Sequence, residues 1–353
     1  MGSNSTSTKL PVGVVGAGSF GTAIANLLAE NGQVLLFSSR PDAVANMQIN
    51  RHNSGQQLHD NITPLADLQE MCEKCLLIFP SVTSDVFRAT MRRMSPFMRP
   101  DHLMIHCTKG FDIKLEEGQT LFDKDLRLRP KDICTMTDVI LQETIVKRVG
   151  CLSGPNLSRE LADKQPAATV IASLFDEVIR EGQFAIRSKR FQVYGSNDLR
   201  GVELGGVLKN TMAIAAGALG GLGYGQNAMS FLISRGLSEI VRLGKALGAE
   251  PEAFLGLAGI GDLVATCTSP LSRNYTVGFR LAKGESLADI MDSSTEIAEG
   301  VKTVNICKKL GDKLDIRLPI IQVVYQALFE ELKVSEGIAF LMEYRWGTDV
   351  DFM

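Results

Sequence analysis

Over its first two hundred residues the chain alternates short apolar runs with stretches of helical spacing. PVGVVGAG (11–18), QVLLFSS (33–39), CLLIFPS (75–81) and HLMIHCTKG (102–110) are apolar runs of strand length, the pattern of strands buried on both faces. Between them, GTAIANLLAEN, DAVANMQIN and SDVFRATMRRM repeat their apolar residues every three or four positions. VGCLSGP (149–155), AATVIAS (167–173) and FQVYGS (191–196) add three further strands. Strands alternating with helices predict a largely parallel sheet covered on both sides. After about residue 197 strand signals stop, and DLRGVELGGVLKNTMAIAAGALGGLG, SFLISRGLSEIVRLGKALGA, SLADIMDSS and VKTVNICKKLGDKL read as helices. The expected fold is an α/β Rossmann-type dinucleotide-binding domain over residues 11–197, then an all-helical domain over 198–353. Residues 1–10, MGSNSTSTKL, read as a disordered polar tail.

A length of 353 residues fits two domains better than one. Net charge is −3, which gives no electrostatic case for nucleic acid or an anionic membrane. The longest apolar stretches are broken well short of a membrane span, and the N-terminus has no apolar signal core. Seven scattered cysteines fit reduced thiols in a cytoplasm. Cys72 and Cys75 form a CxxC, but the four histidines do not complete a zinc pattern with it. The pair reads as a helix end running into a strand, and no metal site is expected.

Gly16-Ala17-Gly18-Ser19-Phe20-Gly21 is a GxGxxG that follows an apolar strand and opens an amphipathic helix. In that context Gly16 permits the turn, Gly18 admits a pyrophosphate, and Gly21 lets helix and strand pack closely. The helix N-terminus offers its free N–H groups to the phosphates at Ser19 and Phe20. The acid that holds an NAD ribose is expected about 20 residues on. Here the sequence reads Ser38-Ser39-Arg40. A hydroxyl and a guanidinium without a carboxylate suit a 2′-phosphate, so NADP is expected to be accepted beside NAD. Alternatively, Arg40 stacks on the adenine or lies in solvent. Pro80, closing the third strand, joins the cofactor side.

Polar residues in apolar or glycine-rich settings mark a second constellation. Lys109 ends a strand in HCTKGF, Gly154 and Asn156 end another in SGPNLS, and Lys209-Asn210 interrupt the run GVELGGVLKNTMAIAAGALGG. Further along stand Asp262 and Thr266, then Arg273 and Asn274, then Glu299 and Lys302. The chemistry they suit is hydride transfer on a phosphorylated ketone. Reducing a carbonyl builds negative charge on oxygen and finally needs a proton. A buried lysine supplies both, because desolvation lowers its pKa toward neutrality. Lys209 is that lysine, with Asp262 as its carboxylate partner. Arg273 and Asn274 hold the phosphate. Asp262 as a helix N-cap and Arg273 as a structural ion pair are the competing readings, and Lys302 is expected to face solvent.

GAGSFGTAIA, CTKG, SGPN, GVELGGVLKNTMAIAAG, GLAGIGDLVATCTSPLSRN and AEGVKT occur in this order. Together, over about residues 11–335, they resemble the soluble, bacterial-type glycerol-3-phosphate dehydrogenases that use NAD or NADP. The resemblance implies a dinucleotide-binding domain followed by a helical domain of the 6-phosphogluconate-dehydrogenase type. It implies reversible reduction of dihydroxyacetone phosphate to sn-glycerol 3-phosphate, feeding glycerophospholipid synthesis, in a cytoplasmic homodimer. It makes Lys209 the proton donor and acceptor. Lys109, Gly154, Asn156, Asn210, Asp262, Thr266, Arg273 and Asn274 become substrate contacts, while Glu299, and Lys109 and Arg273 again, fall on the cofactor side. Three features depart from the pattern. Asn156 stands where bacterial members carry Ser, NSGQQLHDNI replaces the usual Tyr-Leu-Pro, and residues 127–150 are rearranged without an assigned role. The alternatives are a hydroxy-acid dehydrogenase of the same superfamily and a nucleotide sensor without catalysis.

Overall fold

The computed structural model describes residues 10–116, 118–123, 126–294 and 298–345. The tail expected over residues 1–10 therefore lies, except for Leu10, outside the described residues. Eight strands form one sheet: β1 (Val12–Val15), β2 (Val34–Phe37), β3 (Ile62–Leu65), β4 (Leu77–Pro80), β5 (Leu103–His106), β6 (Arg148–Ser153), β7 (Ala167–Ser173) and β8 (Phe191–Ser196). Their order across the sheet is β8-β7-β6-β5-β4-β1-β2-β3. The first six strands are parallel and in the doubly wound order. β7 pairs antiparallel with β6, and β8 follows β7 in parallel. Residues 154–166, between β6 and β7, hold only the short helix Ser158–Ala162, and the chain turns back there.

Helices α1 (Ser19–Ala29), α2 (Pro41–Asn50), α3 (Leu68–Lys74), α4 (Ser84–Met94), α5 (Met136–Glu143), α6 (Ser158–Ala162) and α7 (Asp176–Ile186) accompany the sheet. Apolar side chains fill both faces. Val14, Ile24, Leu36 and Phe79 lie on one side, and Val15, Met71, Ile78 and Phe87 on the other. Cys72 and Cys75 straddle the end of α3 just before β4, and burial pushes their thiols up to about 11 and about 12. They are inert core residues.

The rest of the described chain is helical: α8 (Leu199–Gly221), α9 (Gln226–Ala246), α10 (Glu252–Leu255), α11 (Asp262–Cys267), α12 (Arg273–Ala282), α13 (Leu287–Ser293), α14 (Glu299–Leu314), α15 (Pro319–Phe329) and α16 (Val334–Glu343). A π-turn, Leu257–Gly261, leads into α11. Helix α8 is buried along nearly its whole length, as its all-round apolar sequence requires. Its small residues let α12 approach backbone to backbone. A Cβ at Gly217 would sit 1.8 Å from the Tyr275 carbonyl oxygen, and one at Gly278 would sit 1.8 Å from that of Ile214. This crossing brings the start of α12 beside the middle of α8, where Lys209 lies. Glu239, fully buried on α9, accepts from the Ile320 and Ile321 N–H groups at 2.7 and 3.0 Å and so caps α15. Among the described residues no helix is long and apolar enough to cross a membrane.

Candidate active site

The parallel strands β1, β4, β5 and β6 all end at one edge of the sheet, and α8 lies against that edge. A cavity of about 390 Å³ opens between them. It is lined by Ser19 and Phe20 after β1, Ser81 to Thr83 after β4, Cys107 to Lys109 after β5, and Asn156 to Arg159 after β6. The helical part adds Lys209, Asn210, Thr266, Leu271 to Asn274, and Glu299. A cleft beyond the carboxyl ends of parallel strands is where ligands of such sheets bind.

The glycine loop is shaped for a dinucleotide. Gly16 has φ +116°, a left-handed conformation that disfavours any side chain. A Cβ on Gly21 would lie 1.9 Å from the Gly16 carbonyl oxygen, so only glycine allows the helix this close. A Cβ on Gly18 would meet nothing within 4 Å, so the loop faces open space there. No side chain caps α1. Its first N–H groups are left for an anion, and a pyrophosphate fits. The loop is braced from behind by the segment that departs from the family pattern. Asn53 Nδ2 donates to the Ala17 carbonyl at 2.9 Å and to Thr22 Oγ1 at 2.7 Å, and Gln56 Nε2 donates to the Ser19 carbonyl at 2.8 Å. Sequence reading missed these two residues, because their link to the loop exists only across 31 to 37 residues of chain.

Ser39 and Arg40 follow β2, and both are exposed. They lie outside the cavity lining, and Arg40 is the residue before α2. Ser38 is buried, and its hydroxyl accepts from the Arg40 N–H at 3.3 Å. Pro80 is buried within β4 and paired with Val15. The cavity wall there is Ser81, Val82 and Thr83, residues that the strand-end rule could have found.

At the other end, one carboxylate holds two lysines. Lys209 Nζ donates to Asp262 Oδ1 at 2.8 Å, and Lys109 Nζ to Asp262 Oδ2 at 2.7 Å. Lys209 also donates to the Thr266 hydroxyl, and Lys109 to the Gly154 carbonyl at 3.2 Å. Asp262 opens α11, yet its carboxylate turns to the lysines instead of capping the helix. Lys209 is 6% exposed and Asp262 2%. Burial lowers the Lys209 pKa to about 8; Asp262 pulls it up, and Lys109 pushes it down. Two cations on one anion leave a net positive charge at the cavity floor.

Asn156 is buried, with its amide 2.8 Å from the Thr169 hydroxyl. With its oxygen toward Thr169, the amide nitrogen also reaches the Ala168 and Pro155 carbonyls. Arg273 begins α12 at the cavity wall, and Asn274 lies beside it, its Oδ1 accepting from the Gly300 N–H at 2.9 Å. Glu299, the first residue of α14, accepts from the Ser84 N–H at 3.0 Å and its hydroxyl at 2.6 Å, at the start of α4. Lys302 lies outside the cavity lining and its side chain is partly exposed. One turn along α14 it pairs with Asp85, so the same two helix ends are clasped twice. Neither Glu299–Ser84 nor Lys302–Asp85 is visible to local pattern, since each spans more than 200 residues. No group of three or more His, Cys, Asp or Glu side chains among the described residues is placed to hold a metal.

Comparison with known proteins agrees over the whole architecture. Residues 11–178 match a family model for the N-terminus of NAD-dependent glycerol-3-phosphate dehydrogenase, and residues 198–339 match that for its C-terminus. The glycerol-3-phosphate dehydrogenase [NAD(P)+] of Teredinibacter turnerae is 40% identical, with 97% of each chain covered. That of Pseudomonas aeruginosa is 39% identical over the same share. Among solved structures, glycerol-3-phosphate dehydrogenase from Coxiella burnetii superposes with a TM-score of 0.83 at 32% identity, covering 95% of this chain and 99% of that one. With a dinucleotide loop at one end of the cleft, two lysines on one buried carboxylate at the other and both halves matched in order, the chain belongs to the NAD-dependent glycerol-3-phosphate dehydrogenase family of NAD(P)-dependent oxidoreductases.

Proposed function

We propose that this enzyme reversibly reduces dihydroxyacetone phosphate to sn-glycerol 3-phosphate, supplying glycerophospholipid synthesis, with Lys209 as general acid and base. The observation that carries the reading is the Lys209–Asp262–Lys109 fork at the floor of a cavity that reaches the glycine loop. Residues 11–197 bind the dinucleotide in this reading, and residues 198–353 carry the substrate and catalytic side chains. The family relationship also suggests a cytoplasmic homodimer.

A bound nicotinamide supplies the hydride to the carbonyl carbon, or removes it in reverse. As the carbon–oxygen π pair moves onto oxygen, the two ammonium groups stabilise the developing alkoxide. Lys209 Nζ then gives that oxygen a proton. In the oxidation direction, neutral Lys209 takes the proton back. Asp262 holds both lysines and keeps Lys209 partly protonated near neutrality despite its burial. Arg273 and Asn274 bind the substrate phosphate from α12, and Asn156, Asn210 and Thr266 fix the carbon chain. On the cofactor side, Gly16, Gly18, Ser19, Phe20 and Gly21 hold the pyrophosphate, with Pro80, Arg273 and Glu299 nearby. In this reading Ser39 and Arg40, a hydroxyl and a guanidinium with no carboxylate beside them, meet a 2′-phosphate, so NADPH is accepted beside NADH.

Initial rates of dihydroxyacetone-phosphate-dependent oxidation of NADPH and NADH test this directly. Turnover with both cofactors is expected. Arg40→Ala should lower the NADPH preference roughly tenfold, the loss of one charge-assisted contact. Absence of turnover with either cofactor would overturn the reading, and NADH-only turnover would remove the role of Arg40.

A further inference from the structure

A second buried polar contact joins the two elements that carry the lysines. His106 ends β5, three residues before Lys109, and Glu203 lies on α8, six residues before Lys209. His106 Nε2 stands 3.1 Å from Glu203 Oε1, with side chains 1% and 2% exposed. The same oxygen accepts from the Thr137 N–H at 3.0 Å, in the first turn of α5, and the Thr137 hydroxyl lies 3.2 Å from His106 Nε2. Burial alone would raise the Glu203 pKa. His106, the Thr137 N–H and the Thr135 hydroxyl outweigh it and hold the carboxyl below its ordinary value.

Neither side chain lines the cavity, and the reaction uses neither. Among the described residues His106 Nδ1 and Glu203 Oε2 have no hydrogen-bond partner. A buried polar pair with orphaned atoms is a poor device for stability, because well-packed apolar side chains do as well or better. Its placement gives it another use. Between the pair and the lysine fork lies Gly206, where a Cβ would come within 2.4 Å of Ser153 Oγ and 3.6 Å of Lys109 Cδ. Helix α8 is therefore in direct contact with the strand ends, and a shift of α8 there moves Lys209 relative to Lys109.

We propose that His106 and Glu203 are positioning residues: their contact, seated on the start of α5, fixes α8 against β5 so that Lys209 and Lys109 reach the two oxygens of Asp262. The inference rests on the reading of Lys209 as proton donor. It also gives residues 127–150, unassigned from sequence, a task, since α5 supplies the third side of the contact. Lys209 faces Asp262, Lys109, Thr266 and the Cys267 thiol, and Glu203 faces His106, Thr135, Thr137 and the Cys151 thiol. When α8 is released from β5, Lys109 moves away from Lys209. The nearby cation that favours proton loss is then weakened, and Lys209 titrates higher.

The test uses Glu203→Gln and His106→Gln, each alone and in a Lys109→Met background, with Lys209→Ala as reference. Each single variant should lower kcat about tenfold or more, while KM for dihydroxyacetone phosphate and cofactor Kd stay within about threefold. The alkaline limb of the kcat/KM profile for reduction should move to higher pH. In the Lys109→Met background neither variant should cost much more, because the partner being positioned is gone. Should Glu203→Gln fail to fold, His106→Gln carries the same measurements. A lower Tm with wild-type kcat and an unmoved pH profile would overturn the inference and leave the pair a packing element. If Lys209→Ala itself retains turnover, the proton-donor reading falls. If Lys209→Ala is inactive and the pair variants behave as wild type, the positioning claim alone falls.

Discussion

The two ends of the cleft are made of different material. At the glycine loop the site is backbone: a turn with φ +116° at Gly16, a helix without a side-chain cap, and open space beside Gly18. At the lysine fork the site is side chains, with a buried lysine and carboxylate joined by a second, partly exposed lysine. The first end works by what is absent, since an added methyl group closes it. The second works by charge held largely out of water. One is therefore broken by adding atoms and the other by removing a charge.

The largest expected effect is at the charged end. Lys209→Ala should lower kcat by about 10²–10⁴, the usual range for general acid–base groups, while cofactor affinity stays near wild type. Turnover near wild type would remove Lys209 from the mechanism and leave the fork an electrostatic feature only. Next comes Arg273→Ala, which should raise KM for dihydroxyacetone phosphate about 10–100-fold through loss of charged hydrogen bonds. An unchanged KM would place the phosphate elsewhere in the cleft.

At the backbone end the smallest chemical change is informative. Gly21→Ala puts a methyl group 1.9 Å from the Gly16 carbonyl, so α1 must move from β1. A stability loss of about 1–3 kcal/mol is expected, with weakened cofactor binding, as for overpacked sites. Equilibrium unfolding and cofactor titration read the two effects separately. A fully stable variant with unchanged cofactor affinity would show that the loop tolerates what the geometry forbids.

The same contrast explains what could be read from the chain alone. The glycine loop lies within six consecutive residues, with its strand before it and its helix after it, so period and turn chemistry reveal it. Lys209 is visible because a lysine inside an apolar run needs a reason. That Asp262 also holds Lys109, 153 residues away, belongs to the folded chain alone. So do the bracing of the loop by Asn53 and Gln56, the clasp of Glu299 on Ser84, and the His106–Glu203 contact. These contacts follow from tertiary packing between elements far apart in the chain, which local pattern does not encode. The reversal of β7 is of the same kind: its sequence reads as a buried strand in either direction.

Burial at the charged end also carries a cost with a definite sign. The folded pKa of Lys209, about 8, lies below its unfolded value of 10.5. Its contribution therefore opposes folding fully below about pH 8, and the opposition fades as pH rises toward 10.5. The enzyme thus keeps its proton donor usable near neutrality at the expense of stability there.

The most direct test is the pH dependence of kcat/KM measured in both directions, since that ratio reports groups of the free enzyme. Reduction of dihydroxyacetone phosphate needs protonated Lys209 and should fall as pH rises through about 8. Oxidation of sn-glycerol 3-phosphate needs the neutral amine and should rise through the same value. Mirror-image limbs sharing one pKa near 8, both lost in Lys209→Ala, are the predicted result. Limbs that do not share a pKa, or that persist without Lys209, would contradict the account.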